Sequence, residues 1–274
     1  MTVPAYLLGD RTVLEQVSRQ RAQSLRLTGS EALCRVLGKY LMFADVEDFT
    51  VAPHLAMNGY WESWTTLAVA RALGAGARAV DVGANFGYFT LLMADAVGDA
   101  GAVLAIEPNP RLAALLSRTL DVNGFASRVR VIASAAGACS GDTVKLLVPP
   151  HRWADATTGS IDGACDAIDV PVISVDDATD GWPRVDFVKI DAERAEPSIW
   201  DGMRQTLRRN PHIVVVMELK PTCGQETDGL LTSIADEGFR LRCIDSDGGL
   251  PELTADEASS TSRASDCMLF LSRA

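Results

Sequence analysis

Short apolar runs alternate with longer amphipathic segments along most of the chain after residue 78. Runs rich in Ala, Val and Ile predict buried strands, and segments with apolar positions three or four residues apart predict helices. Strands that alternate with helices of this length indicate a parallel sheet with right-handed crossovers. The predicted strands are residues 79–82, 102–106, 129–132, 185–190 and 213–217, and the predicted helices are residues 89–97, 110–122, 197–207 and 228–237.

The chain departs from this alternation at both ends and in the middle. Residues 12–41 have apolar positions at loose helical spacing, and residues 60–73 predict a helix that ends at Gly74. Residues 144–148 and 170–175 are β-rich pieces around a long polar loop, and residues 239–244 and 267–271 would close a seven-stranded sheet as an antiparallel pair. We therefore expect an α/β domain over residues 59–274, with helices on both faces of its sheet. Residues 1–58 are expected to form an N-terminal helical extension that acts as a lid or an oligomer contact.

Composition excludes several classes of partner. The formal net charge is -11, so attraction to nucleic acid or to an anionic membrane is not expected, because both need positive potential. No apolar run approaches the roughly 20 residues of a membrane span, and residues 1–10 do not resemble a signal peptide, so we expect a cytoplasmic protein. The 6 cysteines are far apart and lack zinc-binding spacing, and we expect buried, reduced thiols.

The stretch AVDVGANFGYF, residues 79–89, is typical of a strand that turns sharply into a helix around a ligand. A dinucleotide site would have GxGxxG, but Asn85 and Tyr88 replace the second and third glycines. Asp81 would repel a diphosphate, and no lysine or arginine follows it before residue 111. The pattern favours S-adenosylmethionine, which is cationic and has no phosphate. Asp81 and Asn85 would then serve its methionine end, within a turn made of Gly83, Ala84, Asn85 and Gly87.

A second carboxylate follows the next predicted strand. Glu107, in VLAIEPNP, stands where a βαβ unit places the acid that binds ribose hydroxyls. Either signal alone is weak, but at this spacing the two together favour a nucleoside cofactor. Glu62, in WESW, would reach the amino end of the cofactor if its helix crosses the site.

Five segments together resemble the FkbM family of S-adenosylmethionine-dependent methyltransferases, namely DVGANFGYFT, AIEPNP, LDVNGF, VPVISVDD and VDFVKIDAERAE. The resemblance covers roughly residues 60–221. It implies the class I methyltransferase fold, a Rossmann-like seven-stranded sheet whose last strand is antiparallel, and methylation of a hydroxyl group on a natural product or sugar. It also implies that Asp81, Gly83, Asn85, Gly87 and Tyr88 form the glycine turn of the cofactor site, that Glu107 holds the ribose beside Pro108, that Ser134 and Ala135 lie near the adenine, and that Asp191 stands next to the methyl group.

One letter departs from the family's usual DxEGAE motif, because Arg194 stands where glycine is expected. Glycine at that position indicates a tight backbone. Arg194 could alter the loop or place a cation in the acceptor pocket, or it could pair with Glu193 or Glu196 at the surface.

Methyl transfer to a hydroxyl needs precise alignment and a base that takes one proton. Asp191 is the first candidate, because it ends a strand at the edge where open α/β sheets bind ligands. Glu193 and Glu196 follow, and His151 in the polar loop is a further candidate. Asp191 and Glu218 could also hold Mg²⁺, but no third ligand is evident, and we assign no metal site.

Three functions stay open at this point. The first is an S-adenosylmethionine-dependent O-methyltransferase that acts on a small-molecule hydroxyl. The second is a nicotinamide-dependent oxidoreductase, which the missing glycines and Asp81 disfavour. The third is a protein that binds S-adenosylmethionine without catalysis, which Arg194 keeps open. We expect the N-terminal extension and residues 149–168 to shape the acceptor pocket, and the extension would also support a homodimer.

Overall fold

The computed structural model describes residues 3–159, 163, 165–220, 225–264 and 267–273 of the chain. Its N-terminal segment contains two helices and a small sheet in which three strands pair antiparallel in the order β1-β2-β3. The elements of this segment are α1 (Arg11–Arg21), β1 (Ser24–Arg26), β2 (Glu31–Val36), β3 (Tyr40–Asp45) and α2 (Ala52–Asn58).

The prediction of a mainly helical segment over residues 12–41 is wrong after Arg21. Helix α1 ends there, because Ala22 adopts φ -56° and ψ 130°, outside the helical region. Buried and partly exposed positions then alternate along β2 and β3, as they do in a half-covered strand. Leu37 and Gly38 reverse the chain between these strands with positive φ values. The apolar positions therefore change from a helical period of 3.6 residues to a strand period of 2 residues, and their loose spacing did not reveal this change.

The predicted alternation of strands and helices is confirmed in the next part of the chain. Helix α5, for example, begins after Asn109, whose side chain accepts a hydrogen bond from the backbone of Arg111, and it ends at Gly124 with φ 72°. The elements are α3 (Ser63–Ala72), β4 (Arg78–Val82), α4 (Tyr88–Val97), β5 (Ala102–Ile106), α5 (Pro110–Asn123) and β6 (Val129–Ile132).

The β-rich middle of the chain forms a separate small sheet in the order β7-β9-β8. Its strands are β7 (Ala135–Ala136), β8 (Thr143–Val148) and β9 (Asp166–Ile173). A short helix, α6 (Val175–Ala178), follows and is capped by the Ser174 side chain. The polar loop between β8 and β9 returns toward β8 through a bridge between Leu147 and Thr157.

The C-terminal part resumes the α/β pattern. The predicted helix over residues 197–207 is split at Gly202, where a Cβ atom would lie 2.0 Å from the carbonyl oxygen of Gly137. The elements are β10 (Phe187–Ile190), α7 (Glu196–Asp201), α8 (Arg204–Arg209), β11 (Val214–Leu219), α9 (Gln225–Asp236), β12 (Arg240–Cys243), β13 (Glu252–Leu253), α10 (Ala255–Ala264) and β14 (Cys267–Ser272).

The large sheet has the strand order β13-β12-β14-β11-β10-β4-β5-β6. Strands β6, β5, β4, β10 and β11 are parallel, whereas β14 runs antiparallel to both β11 and β12. The seven predicted strands and the antiparallel last strand are therefore confirmed. The additional strand, β13, is a two-residue edge strand and is too short to carry a sequence pattern.

Helices cover both faces of this sheet. On β4, Ala79 belongs to the apolar core on one face, which also receives α3, α4 and α5, while Val80 and Val82 belong to the core on the other face. The second core receives residues of α7 to α10, including Trp200 and Leu231. Because neither face meets water, the strands are continuous apolar runs. No helix within the described residues has the length and apolar character needed to cross a lipid bilayer.

The cysteines differ in exposure, which corrects the expectation that all are buried. Cys34 and Cys267 are buried, Cys165 and Cys243 are partly exposed, and Cys139 is exposed. Cys223 lies outside the described residues.

Candidate active site

A cavity of about 270 Å³ lies at the carboxyl edge of the large sheet. Residues that follow neighbouring parallel strands line it, including Gly83 after β4, Glu107 after β5 and Asp191 after β10. Strand β4 lies between β5 and β10, so the chain crosses over in opposite directions on its two sides. Open α/β sheets bind ligands in the crevice at such a reversal.

The glycine turn after β4 requires its glycines. Gly83 has φ 77°, and a Cβ atom there would lie 1.8 Å from the carbonyl oxygen of Asp191. Gly87 has φ 94°, and its Cβ atom would lie 2.2 Å from Leu116 Cδ1. Asn85, with φ 52°, also has the left-handed conformation. The sequence suggested close approach by a ligand, but the structure shows that strand β10 and helix α5 already require both glycines.

Glu107 is fixed at the end of β5 by two backbone hydrogen bonds. Its carboxylate accepts from the backbone nitrogens of Asn85 and Asn109, both at 2.8 Å. Burial raises the pKa of Glu107 to about 7, although these two donors oppose the shift. Each oxygen keeps a further lone pair, which is what two vicinal hydroxyl groups would need.

Asp81 is buried in the sheet and does not line the cavity. Its side chain accepts a 2.5 Å hydrogen bond from Thr90 Oγ1, and it lies opposite Lys189 in the pairing of β4 with β10. Burial raises the pKa of Asp81, while Lys189 opposes this shift. In this structure the Asp81 carboxylate offsets the positive charge of the buried Lys189. A direct contact between Asp81 and a cofactor stays a prediction.

Most of the other predicted cofactor residues do line the cavity. Ser134 is buried outside the lining, as is Gly87. The lining includes Glu62, Gly83, Ala84, Asn85, Tyr88, Glu107, Pro108, Ala135 and Asp191.

Glu62 brings an unpaired carboxylate oxygen to the cavity. It precedes α3 with φ 36°, a strained backbone for a non-glycine residue. Its Oε2 atom is buried and accepts no hydrogen bond from the described residues. Burial, together with the nearby carboxylate of Asp191, raises the pKa of Glu62 to about 7. Such a group is suited to receive a cationic ligand group.

The buried Lys189 and the partly exposed Asp191 form an ion pair at the end of β10. Lys189 Nζ lies 2.9 Å from Asp191 Oδ2 and 4.5 Å from the centre of the Phe89 ring. Burial tends to lower the pKa of Lys189, but Asp191, Asp81 and Glu62 outweigh it and raise the pKa. Burial tends to raise the pKa of Asp191, but Lys189 and a hydrogen bond with Glu218 lower it below the usual range. Asp191 is therefore a weak base here.

A second lysine connects the two remaining carboxyl groups. Lys220 Nζ donates a 2.6 Å hydrogen bond to Glu193 Oε1 and lies 3.5 Å from Glu218 Oε2. Burial raises the pKa of Glu193, and Lys220 opposes that shift. Burial and the charge of Asp191 raise the pKa of Glu218 above its usual range, although Lys220 opposes the shift. The cavity thus contains two lysines among several carboxyl groups whose pKa values are shifted in different directions.

A comparison with protein families settles which family has this site. The model of the methyltransferase FkbM domain matches residues 81–241, more than half of the chain. The chain belongs to the FkbM methyltransferase family. No curated protein sequence matches it. The matched residues include the glycine turn, Glu107, Asp191 and Lys220, so the FkbM domain contains most of the cavity.

The solved structures similar to this FkbM chain include named methyltransferases and a protein bound to S-adenosyl-L-methionine. Fibrillarin from Aeropyrum pernix, bound to S-adenosyl-L-methionine, has 11% identity and a TM-score of 0.46 over 91% of this chain and 97% of that chain. Precorrin-6y C5,15-methyltransferase from Geobacter metallireducens has 12% identity and a TM-score of 0.45 over 78% and 87%. An O-methyltransferase from Bacillus cereus in complex with SAH has 12% identity and a TM-score of 0.44 over 77% and 78%.

The strand order of the large sheet is that of the class I methyltransferase fold, as expected from the FkbM resemblance. The similar structures differ in their named reactions.

The backbone after Asp191 explains why glycine is expected at the position of Arg194. Arg194 has φ 78°, the left-handed conformation that favours glycine. Its side chain is exposed and forms no ion pair with the residues that the structure describes. Glu196 is buried and accepts a 3.0 Å hydrogen bond from the backbone of Ala192, so it holds the loop. Arg194 therefore changes the backbone preference of the loop and does not line the cavity.

The structure places His151, a candidate base, outside the cavity lining. His151 is exposed, does not line the cavity and stacks on Phe49 with 4.8 Å between ring centres. Its Nδ1 atom lies 3.1 Å from the carbonyl oxygen of Glu47. The histidine joins the polar loop to the N-terminal segment, and its role as a base stays a prediction.

The carboxyl groups of Asp191, Glu193 and Glu218 have oxygens within 4.8 Å of one another. Glu193 is thus the third carboxylate that the sequence did not reveal. However, the ammonium of Lys220 already lies between Glu193 and Glu218, and the ammonium of Lys189 pairs with Asp191. These lysines oppose a divalent ion, so the residues do not fit a Mg²⁺ site, and we derive no step through a metal.

Sequence reasoning missed individual residues on the side of the cavity opposite the sheet. Thr50, Val51 and Leu55 line it from the N-terminal segment, and Trp153 and Asp155 line it from the polar loop. The two segments are joined, since the backbone nitrogen of Trp153 donates to an oxygen of Asp48 at 3.1 Å. The guanidinium of Arg111 also lies 3.9 Å from the centre of the Trp153 ring.

Proposed function

We propose that this FkbM methyltransferase uses S-adenosylmethionine to methylate a hydroxyl group of a neutral small molecule. The observation that carries the proposal is the unpaired, buried Oε2 atom of Glu62 in a cavity that also contains Glu107. Glu62 would receive the ammonium of the cofactor, and Glu107 would receive its ribose hydroxyls. Gly83, Ala84 and Asn85 would lie along the cofactor between these groups.

The electrostatics of the same cavity disfavour the nicotinamide alternative. A dinucleotide would bring a diphosphate to the glycine turn, where Glu107 and Asp81 are near and no cation follows β4 before residue 111. Lys189 and Lys220 are already paired with carboxylates. A ligand with a net positive charge therefore fits this cavity better than one with two negative phosphates.

For the proton transfer, we favour Glu193 over Asp191. S-Adenosylmethionine supplies an electrophilic methyl group when it is bound. Asp191 is neutralised by Lys189, which lowers its pKa, whereas burial raises the pKa of Glu193. Lys220 holds Glu193 Oε1, and Glu193 Oε2 accepts no hydrogen bond from the described residues. Glu193 Oε2 would take the acceptor proton, and Lys220 would keep the carboxylate in place.

The acceptor side of the cavity favours a neutral, hydroxylated molecule. Trp61, Trp153 and Leu55 offer apolar surface there, and Asp155 and Glu193 offer oxygen acceptors for hydroxyl groups. An anionic acceptor would be repelled by these carboxylates. With the net charge of -11 this also argues against nucleic acid or membrane as a partner. A sugar or a polyhydroxylated natural product has the required chemistry.

Calorimetry with S-adenosylhomocysteine and NAD tests the cofactor assignment. The wild type should bind S-adenosylhomocysteine and not NAD, and Glu107→Ala should abolish binding while thermal unfolding stays cooperative. Glu47→Gln, which changes an exposed carboxylate near the cavity, is the matched control and should bind normally. Binding of NAD with no heat from S-adenosylhomocysteine would establish the oxidoreductase instead.

Radiolabelled methyl transfer to a panel of sugars, polyols and phenols tests the reaction. Glu193→Gln should reduce the rate with the best acceptor by about 100-fold or more, which is the usual size of a general-base contribution. If Asp191→Asn reduced the rate by more than this and Glu193→Gln left the rate unchanged, Asp191 would be the base instead. Tight cofactor binding without turnover of any hydroxyl would support the non-catalytic alternative.

A further inference from the structure

Two cysteines lie side by side at the carboxyl edge of the large sheet, outside the set of residues that line the cavity. Cys243 ends β12 and Cys267 begins the neighbouring antiparallel strand β14. Cys243 is opposite Leu269, so Cys267, two residues earlier, lies diagonally across from it on the same face. The two sulfur atoms are 3.2 Å apart. A disulfide has an S–S distance of about 2.0 Å, so small side-chain movements would bring these sulfurs into bonding distance.

The pair has one accessible and one buried thiol. Cys243 is partly exposed, whereas Cys267 is 2% exposed. The hydrogen bond with Cys267 lowers the pKa of Cys243 and raises the pKa of Cys267. Because the thiolate is the nucleophilic form, Cys243 is the thiol that reacts first. Cys267 is then placed to react with whatever forms on Cys243.

We propose that Cys243 and Cys267 are a site of reversible oxidation, where a hydroperoxide converts the two thiols into an intramolecular disulfide. The Cys243 sulfur attacks the peroxide, so that an S–O bond forms, the O–O bond breaks and an alcohol or water leaves with the thiol proton. The Cys267 sulfur then attacks the Cys243 sulfur, the S–S bond forms, the S–O bond breaks and water leaves with the second proton. Two thiols and one peroxide thus give one disulfide, one alcohol or water, and one further water.

The other described cysteines lack this arrangement. Burial raises the pKa of Cys34 to about 11, which makes it a poor nucleophile. Cys139 is exposed, but no described sulfur lies within hydrogen-bond distance of it, and the same holds for Cys165. Peroxide is therefore expected to oxidise Cys243 in preference to Cys139, although the side chain of Cys139 is more exposed.

The disulfide would connect the C-terminal strand to its neighbour close to the active site. On its other side β14 pairs with β11, where Cys267 is opposite Leu219 and Met268 is opposite Glu218. Glu218 lines the cavity. Oxidation would thus fix the strand that supports one of the carboxyl residues of the site.

Peptide mapping after mild oxidation tests the proposal. The reduced full-length protein is treated with equimolar hydrogen peroxide, alkylated with iodoacetamide and digested without reductant. We expect a peptide pair linked through Cys243 and Cys267, which disappears after dithiothreitol. Linkage of either residue to Cys223, or linkage between two molecules, would overturn the proposal, as would oxidation of Cys139 with Cys243 still free.

Single substitutions test the order of the two steps. Cys267→Ala leaves Cys243 without its partner, so dimedone should trap a sulfenic acid on Cys243. Cys243→Ala should leave Cys267 reduced, because that thiol is buried. Cys139→Ser, at an exposed position, is the matched control and should form the disulfide as the wild type does. If Cys267→Ala or Cys243→Ala prevents folding, peptide mapping of the wild type and of Cys139→Ser still shows whether the disulfide between Cys243 and Cys267 forms.

Discussion

Cofactor binding should depend on pH through Glu62. Burial and the charge of Asp191 raise the pKa of Glu62 to about 7 in the free protein. The cofactor ammonium favours the carboxylate, so binding below this pH must release a proton from Glu62. Affinity is therefore expected to fall as the pH drops below about 7 and to level off above it. The charged and titratable groups near Glu62 are Asp191, Lys189, Lys220, Tyr88 and Glu218.

The size of the effect follows from proton linkage. One pH unit below the pKa costs about 1.4 kcal/mol, or a factor of ten in affinity. Between pH 8 and pH 6 the dissociation constant for S-adenosylhomocysteine should therefore rise about tenfold. Glu62→Gln removes the titrating group, so its affinity should be lower at pH 8 by about 1.5–3 kcal/mol and vary little with pH.

Isothermal titration calorimetry at pH 6 and pH 8, in two buffers of different ionisation enthalpy, measures both affinity and proton release. Glu107 also has a pKa of about 7, but a protonated carboxyl can still donate to one neutral hydroxyl and accept from the other, so its titration should change the affinity less than that of Glu62 does. Glu47→Gln should keep the wild-type pH profile. A wild-type affinity that changes less than about twofold between these pH values, or a Glu62→Gln variant with the wild-type slope, would refute the reasoning.

Three further substitutions test the construction of the site. Gly83→Ala should cost about 3 kcal/mol or more in thermal unfolding, because its Cβ atom would lie 1.8 Å from a carbonyl oxygen, whereas Gly124→Ala, with φ 72° and open space, should cost only about 1 kcal/mol. Equal losses would show that close approach is not the cause. Lys189→Met leaves the buried Asp81 and the partly exposed Asp191 without their cation and should lower the free energy of unfolding by about 3–5 kcal/mol at pH 8. The loss of unfolding free energy caused by Lys189→Met should be smaller at pH 5, because carboxyl groups that lack the cation take up protons as the pH falls. Urea titrations that give the same loss at both pH values would contradict this. Arg194→Gly relieves a left-handed backbone and should raise the unfolding free energy by about 1 kcal/mol, with unchanged affinity for S-adenosylhomocysteine; weaker binding would show that the arginine acts in the site.

The sequence was sufficient for the features that depend on local pattern. The alternation of strands and helices predicted the large sheet, and the letters around Gly83 predicted the turn at its edge. The position of Glu107 at the same edge could be predicted because its distance from the turn reflects one βαβ unit. The split of the helix at Gly202 could not be foreseen, since it depends on contact with Gly137, far away in the chain.

The charges of the site were harder to predict because their partners come from different strands. Lys189 appears in FVKID as a lysine inside an apolar run, and a buried lysine needs carboxylates around it. The buried lysine could therefore have indicated that the negative charge of Asp191 is offset by an ion pair. The pairing of Lys220 with Glu193 depends on the register of β10 and β11 and leaves no local pattern.

The N-terminal segment and the polar loop were predicted to shape the acceptor pocket, and residues of both line the cavity. Their internal structure was not predictable in the same way. Residues 24–45 form strands that pair only with each other, so neither the period of the large sheet nor its motifs describe them.

The position of β14 between β11 and β12 has a consequence for synthesis on the ribosome. Strand β14 emerges after both β11 and β12, yet within the described residues it is the strand that pairs with each of them on their facing edges. The facing edges of β11 and β12 therefore stay unpaired until β14 has been synthesised. Unpaired strand edges can pair with other chains, so the nascent chain is exposed to aggregation during this interval.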